Sequence, residues 1–403
     1  MRILRFEVEG FRSLRNIDWR PGKLNVVIGP NGSGKSNLLR ILELLSVAAR
    51  GGLGNYVIHE GGVEPLVWDG KADHIRVRCK LSPAEGGLDP DRDSLTYDLS
   101  LGRLGVSSAY RIDSEILGNY RESPMAEALL GARQYPFKLL ERDPRNAVVF
   151  DIQQRQLWAN QGSVPDEETL LSLCAGPFTA NAIIFIHQQH IARWKIYQSF
   201  LTDRDAPIRA PAVARHESSL DPDGQNLISV LHTLYSTDRE FKDEVNTAMR
   251  TAFSDDFDEI VFPPAADQRI QLRLRWRSLR REQSAADLSD GTLRFLFLMA
   301  ALANPSPPPL IAIDEPETGL HPSMLPIVAE YARDAAQRTQ VILTTHSPEL
   351  LDAFGNDPPT TTVAEWKDGQ TMLRVLAGDS LDYWLKKYTL GELYRSKELE
   401  SMS

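Results

Sequence analysis

One short run constrains this chain more than any other: Gly29-Pro30-Asn31-Gly32-Ser33-Gly34-Lys35-Ser36. It follows the spacing G-x-x-x-x-G-K-[ST] of a phosphate-binding loop. The flanks agree with it. Leu24–Ile28 predicts a short buried strand, and Asn37–Leu45 carries apolar residues at helical spacing. In such a loop, successive backbone N–H groups must curl around phosphate oxygens. Side chains would obstruct that approach, hence the glycines. The helix that follows points its positive N-terminus at the anion. Gly29 to Asn37 is therefore the expected nucleotide-binding set. Lys35 is expected to reach the β- and γ-phosphates of ATP, and the Ser36 hydroxyl to hold Mg²⁺.

A chain of 403 residues can bury a sizeable core. Its formal net charge of −10 means that the surface as a whole does not attract nucleic acid, so any DNA contact needs a local basic patch or a partner. Cys79 and Cys174, the two cysteines, make neither a metal spacing nor a disulfide framework, which suits a reducing cytoplasm. Residues 1–20 lack the pattern of a signal peptide. The longest apolar run, Phe295–Ala303, is too short to span a bilayer, so no membrane role is expected.

Arg2–Glu9 partly alternates and predicts a strand; Gly10-Phe11-Arg12-Ser13-Leu14 then turns the chain. Arg12 either lies beside the nucleotide or is an exposed strand-end arginine. His74–Leu81 and Thr96–Leu101 alternate and predict a hairpin whose long tip is rich in Pro, Gly and Asp. Further on, Met125–Arg133 and Phe137–Glu141 read as helices, and Val148–Phe150 and Ala182–Ile186 as strands. Asn226–Tyr235 and Phe241–Phe253 read as amphipathic helices. No heptad repeat encodes a coiled-coil arm. His187 and His190, three residues apart, lack a cysteine or carboxylate at ligand spacing, so hydrogen-bonded or solvated histidines are preferred to a metal site. In 268–281, Arg273, Arg275 and Arg277 alternate with Leu272, Leu274 and Trp276, and Arg280 and Arg281 follow. On a strand the arginines share one face. That face can hold a phosphate backbone or, the reading preferred here, stand solvated and paired with carboxylates.

Three later stretches add chemistry. Leu288-Ser289-Asp290-Gly291-Thr292 precedes an apolar helix, Leu293–Ala303, and offers Ser289 and Gly291 to a phosphate. Leu310–Pro316 predicts a buried strand ending in Asp314, placed to hold Mg²⁺, and Glu315, placed to deprotonate or orient water. Val341–Ser347 predicts another strand, with His346 at its end. Strands that carry function at their C-terminal ends, with helices between them, imply an α/β fold.

The order of these motifs resembles the ABC-type ATPases and, within them, the RecF/SMC-like branch. It most closely resembles the prokaryotic AAA_21 or AAA_15 ATPases related to the OLD family. Phe11-Arg12-Ser13-Leu14, the Leu-Ser-x-Gly signature, the run 316–322, the tail Tyr388–Leu393 and parts of Trp194–Leu234 (Ala206–Arg209, Asp223–Leu227) carry the likeness. The resemblance implies a P-loop NTPase of ABC/SMC-head type, with an antiparallel N-terminal sheet lobe and a mixed, partly helical insertion. The expected divisions are 1–104, 105–265 and 266–403. It also implies that two heads sandwich ATP. Ser289 and Gly291 of one would face the γ-phosphate held by Lys35 of the other. Glu315 would be the base, His346 the switch histidine, and Glu317–His321 would cross the interface. One set of motifs per chain calls for a second copy, as a dimer or a higher even-numbered assembly. Asp290 replaces the glycine usual in transporters but is common in this branch. No residue is firmly the Q-loop glutamine; Gln188 and Gln189 are weak candidates. The tail after Thr360, with an expected helix at Leu381–Lys387, shows no TOPRIM-like acidic constellation, so a nuclease effector is expected on a separate polypeptide.

The reading is an ATP-hydrolysing, ATP-dimerised head that acts as a switch, and the resemblance points to DNA transactions or, more specifically, to prokaryotic defence against phage. The alternatives are an ATP-gated scaffold with little turnover and a RecF-like repair ATPase. A transporter ATPase is disfavoured by the N-terminal antiparallel strands and the lack of a membrane-coupling helix.

Overall fold

The structure, a computed structural model, describes residues 1–83, 94–105, 108–119, 137–151, 156–159, 164–174, 176, 181–355, 357–376 and 388–396. In chain order it begins with β1 (Ile3–Phe11), β2 (Leu14–Trp19), β3 (Leu24–Ile28), α1 (Lys35–Ala49) and α2 (Leu53–His59). Six strands follow: β4 (His74–Leu81), β5 (Leu95–Arg103), β6 (Tyr110–Asn119), β7 (Phe137–Arg142), β8 (Ala147–Asp151) and β9 (Gln156–Ala159). Next come α3 (Leu170–Leu173), α4 (Ala182–Ala192), β10 (Lys195–Tyr197), β11 (Ala212–Val213), α5 (Leu227–Thr237) and α6 (Arg239–Phe253). The short strands β12 (Phe257–Val261), β13 (Pro264–Ala265), β14 (Arg269–Ile270), β15 (Arg273–Trp276) and β16 (Gln283–Ser284) lead to α7 (Asp290–Leu302). The chain continues with β17 (Leu310–Asp314), α8 (Leu325–Arg338), β18 (Gln340–Thr345) and α9 (Pro348–Ala353), then β19 (Thr360–Lys367), β20 (Gln370–Val375) and α10 (Leu390–Arg395).

The chain divides into two compact units. The first holds residues 1–22, 30–194 and 364–375. Its frame is an antiparallel sheet in the order β2-β1-β4-β5-β6-β7-β8-β9. Alternation sets the register. Ile75, Val77, Cys79 and Leu81 of β4 are buried, with partly exposed residues between them, and Phe6 lies opposite Cys79. Glu115 on β6 is wholly buried yet fully used: it accepts from Tyr97 Oη (3.0 Å) and from the N–H groups of Leu170 (2.6 Å) and Leu171 (2.7 Å) at the start of α3.

Two expectations fail in this unit. Phe137–Glu141 is strand, because β6 and β8 offer it ladders on both sides. Ala182–Ile186 opens helix α4, because Asn181 caps it: its Oδ1 accepts from the N–H groups of Ile183 (3.1 Å) and Ile184 (3.2 Å). A five-residue apolar run fits either period, and the neighbouring partners decide. The expected helices at Met125–Arg133 and Leu381–Lys387, and most of the tip between β4 and β5, lie outside the described residues.

The second unit holds residues 23–29, 195–363 and 376–403. Here β10, β17, β18, β3 and β19 lie side by side in that order, all parallel. Strands covered on both faces read as unbroken apolar runs, as Leu310–Ile313 and Val341–Leu343 do. Helix α7 is buried from Leu293 to Leu302 apart from Arg294, and with α5, α6 and α8 it forms the core. Among the described residues no helix is long and apolar enough to cross a membrane.

Candidate nucleotide-binding site

Residues Pro30–Ser36 belong to the first unit. Gly34, at φ +96°, is the N-cap of α1, and no side chain caps that helix. The glycine is also required by space: a Cβ there would lie 1.9 Å from Thr371 Oγ1 and 2.7 Å from Ser13 Oγ. A polar brace holds the loop from behind. Thr371 Oγ1 donates to the Ser33 carbonyl (2.9 Å) and lies 2.7 Å from Ser13 Oγ, which accepts from Asn37 Nδ2 (2.8 Å). Lys35 is buried and its Nζ donates to the Pro30 carbonyl (3.1 Å), bending back over the loop. The Ser33 hydroxyl is buried with no hydrogen-bond partner among the described residues. An orphaned buried hydroxyl beside a helix start that lacks a side-chain cap fits an anionic ligand. Ser36, half-buried, follows Lys35 in the first turn of α1.

Arg12 sits in the turn after β1 with φ +46°. It is half-buried rather than exposed, and its guanidinium pairs with Glu60. Desolvation and the neighbouring Arg40 push its pKa down. Its Nε is buried without a hydrogen-bond partner among the described residues.

The second unit gathers the carboxylates. Register pairs Asp314 with Thr344 and Thr345 with Ile28, so β17, β18 and β3 end together at the C-terminal edge of the sheet. The last two residues of β18 face opposite ways and each serves one acid. Thr344 Oγ1 donates to Asp314, and Thr345 Oγ1 donates to Glu317 Oε1 (2.5 Å). Glu315 adopts φ +47°, a strained backbone for a residue with a Cβ, of order 1–2 kcal/mol. Its N–H donates to the Thr344 carbonyl (3.1 Å), which holds the strained turn. The strain has a visible product: Glu315 Oε1 lies 2.9 Å from Nδ1 of the exposed His346. Glu317, which the resemblance sends across an interface, turns its carboxylate inward. It accepts from Thr345 and, at 3.4 Å, from the His346 N–H, and burial pushes its pKa up.

Gln198 is the residue the sequence did not reveal. It follows β10, whose Tyr197 lies opposite Ile313 of β17, and it lines a cleft with Asp314, Glu315, Phe200 and Arg294. Lys195–Tyr197 is too short a run to announce a strand, whereas the apolar run at 182–186 is longer and leads into Gln188 and Gln189. Those two sit inside α4, where Gln188 Nε2 donates to the Ala49 carbonyl (2.6 Å). On the same helix, His187 Nδ1 bonds the Ile183 carbonyl (2.8 Å), and burial pushes the His190 imidazole down to about 3.

The signature opens α7. Ser289 is its exposed N-cap, with Oγ accepting from Thr292 N–H at 3.1 Å. Gly291 allows a close approach: a Cβ there would fall 2.6 Å from the Gly319 carbonyl oxygen. The arginine strand stands apart, in the small sheet β12-β15-β16. Arg275 pairs with the carboxylates of Glu259 and Glu282, whereas Arg273 donates to the side-chain oxygen of Gln271. Arg277 is exposed beyond the end of β15.

Comparison with solved structures agrees with this architecture. The chain is similar to an SMC head bound to the C-terminal winged-helix domain of ScpA (TM-score 0.58, 14% identity, 95% of this chain and 100% of that one). It is also similar to a Pyrococcus furiosus Smc head with an extended coiled coil bound to the C-terminal domain of ScpA (0.56, 13%, 96% and 98%). A Pyrococcus yayanosii Smc head with coiled coil and joint gives 0.50 at 13% identity, covering 96% and 99%. At such identities the likeness shows the fold: an ABC/SMC-head P-loop ATPase fold. No curated protein matches the chain. One family model does, over residues 24–127 and 186–352, and its description is "AAA domain, putative AbiEii toxin, Type IV TA system". That match takes in Gly29–Ser36, Ser289–Gly291, Asp314, Glu315 and His346 and more than half of the chain, and the chain therefore belongs to the AAA_21 family.

Proposed function

We propose that this chain hydrolyses ATP as one of two heads that close around the nucleotide, and that closure is the output of a switch. The observation that carries the reading is the Glu315–His346 pair, set at 2.9 Å by a strained backbone where the parallel strands end. Strain of this kind persists where the surrounding structure over-determines it, and it clusters at working sites. In this reading Gly29–Asn37 cradle the phosphates, and Arg12 lies close to them. Lys35 offsets the negative charge. Ser36 and Asp314 would hold Mg²⁺, with Gln198 lining the same cleft as Asp314; the ion would neutralise charge gathering on the phosphates. Glu315 takes a proton from the attacking water, and His346 orients the carboxylate and then the γ-phosphate. Ser289 and Gly291 meet the γ-phosphate bound by the second copy.

The family description, with its toxin–antitoxin wording, supports a place in prokaryotic defence, where the head restrains or releases a separate effector such as a nuclease. Direct DNA contact would fall to Arg277 and Arg273, since Arg275 is already paired twice. The deciding experiment is the solution mass of Glu315→Gln with and without Mg-ATP. Doubling on ATP is the expected result. A monomer that binds ATP without doubling would refute the sandwich. Turnover that is negligible with and without duplex DNA would replace the enzyme with an ATP-gated scaffold.

A further inference from the structure

We infer that Arg209 is a positioning residue for the signature, holding Ser289 from both sides for the nucleotide of a second copy; the inference rests on the sandwich reading above. Arg209 ends a single 3₁₀ turn, Pro207–Arg209, and its side chain is only 10% exposed. Every arm of the guanidinium is used. Nε donates to the carbonyls of Thr202 (2.8 Å) and Asp203 (3.1 Å), which fixes the group to its own segment. Nη1 donates to the carbonyls of Ala285 (3.1 Å) and Leu288 (2.7 Å). Nη2 donates to Asp290 Oδ1 (2.5 Å).

These acceptors surround one residue. Ala285–Asp287 is a 3₁₀ turn whose first carbonyl, Ala285, also accepts from the Leu288 N–H (3.4 Å), and the Leu288 carbonyl lies just beyond its end. Asp290 is the first residue of α7. The guanidinium thus bridges the end of one turn to the start of the next helix. It grips Leu288 and Asp290, the two neighbours of Ser289, and leaves Ser289 itself exposed. A planar fork with donors in fixed directions can span that gap; a lysine, one point charge on a flexible stem, cannot. None of the hydrogen bonds described for Arg209 goes to Asp314, Glu315 or His346. Its effect should therefore appear in the partner's site and spare its own.

That asymmetry supplies the test. Arg209→Lys should bind a fluorescent ATP analogue within about twofold of wild type, and its turnover should fall at least ~10-fold. Combined with Glu315→Gln, it should lose ATP-dependent mass doubling. Mixing Arg209→Lys with Lys35→Ala should then restore about a quarter of wild-type turnover. Half the dimers would be hybrids, and each hybrid would have one site with both P-loop and signature intact. Ser289→Ala mixed with Lys35→Ala is the control. Rescue in the control but not with Arg209→Lys would overturn the inference. No rescue in either mixture would overturn the sandwich reading, and the inference with it. If Arg209→Lys does not fold, Asp290→Ala, at an exposed position, should show the same trans-rescued loss at smaller size. Undiminished turnover of Asp290→Ala would then count against the inference.

Discussion

The phosphate loop and the signature are built in opposite ways. The loop is built from residues close in sequence: Pro30, Ser33, Gly34 and Lys35 shape it through a left-handed glycine and a lysine folded back on the Pro30 carbonyl. A brace from Ser13 and Thr371 comes from afar. The signature is the reverse. Its local residues are an ordinary Ser-Asp-Gly turn, and its geometry depends on Arg209, 81 positions before Asp290, and on the closely passing Gly319. Local construction leaves a dense trace in a sequence, whereas construction by remote contacts leaves almost none.

Substitutions can break this contrast or sharpen it. The largest effect belongs to the loop. Gly34→Ala should reduce affinity for an ATP analogue at least ~100-fold in equilibrium binding, since the new methyl meets both a steric block and an unfavourable φ. Gly291→Ala should leave that binding near wild type but lower steady-state turnover at least ~10-fold, because it displaces the Gly319 loop rather than the cradle. Equal loss of binding in the two would erase the distinction. Thr371→Val keeps the shape and removes the donor to Ser33. A cost of about 1 kcal/mol is expected in denaturant unfolding, with a few-fold rise in KM.

The smallest effect is one of pH. His190 has its pKa lowered by burial from 6.5 to about 3, so between these values the unfolded chain binds the extra proton. Its contribution is complete above pH 6.5 and is lost as pH falls, by up to about 1.4 kcal/mol per pH unit. His190→Phe should therefore flatten the decline of Tm between pH 7 and pH 5. Parallel melting curves for the two proteins would contradict this.

Much of the second unit was legible in advance. Leu24–Ile28 is a strand with the expected bounds, and the strands before Asp314 and His346 are buried runs bounded by functional residues, so motif and hydropathy agreed. The alternation of β4 announced the antiparallel sheet in the same way. The failures share a cause. Residues 137–141 and 182–186 are runs of five, where helix and strand periods overlap. Ladders on both sides settled the first, and the cap from Asn181 settled the second. Gln198 was not singled out because a three-residue strand carries no periodicity, and its place in the cleft with Asp314 comes from β10 lying beside β17. The inward turn of Glu317 was hidden for another reason: it depends on which way Thr345 faces at the end of β18.

The contact between Gly34 and Thr371 also bears on how such a chain can drift over generations. Two separate obstacles hold the glycine in place, the backbone angle and the crowding hydroxyl. Shrinking Thr371 would clear the space and leave the angle. Relaxing the angle would leave the collision. No single substitution opens a route away from glycine, so each obstacle masks the loss of the other. A change at position 371 therefore gives up its hydrogen bond to Ser33 without freeing position 34 to change.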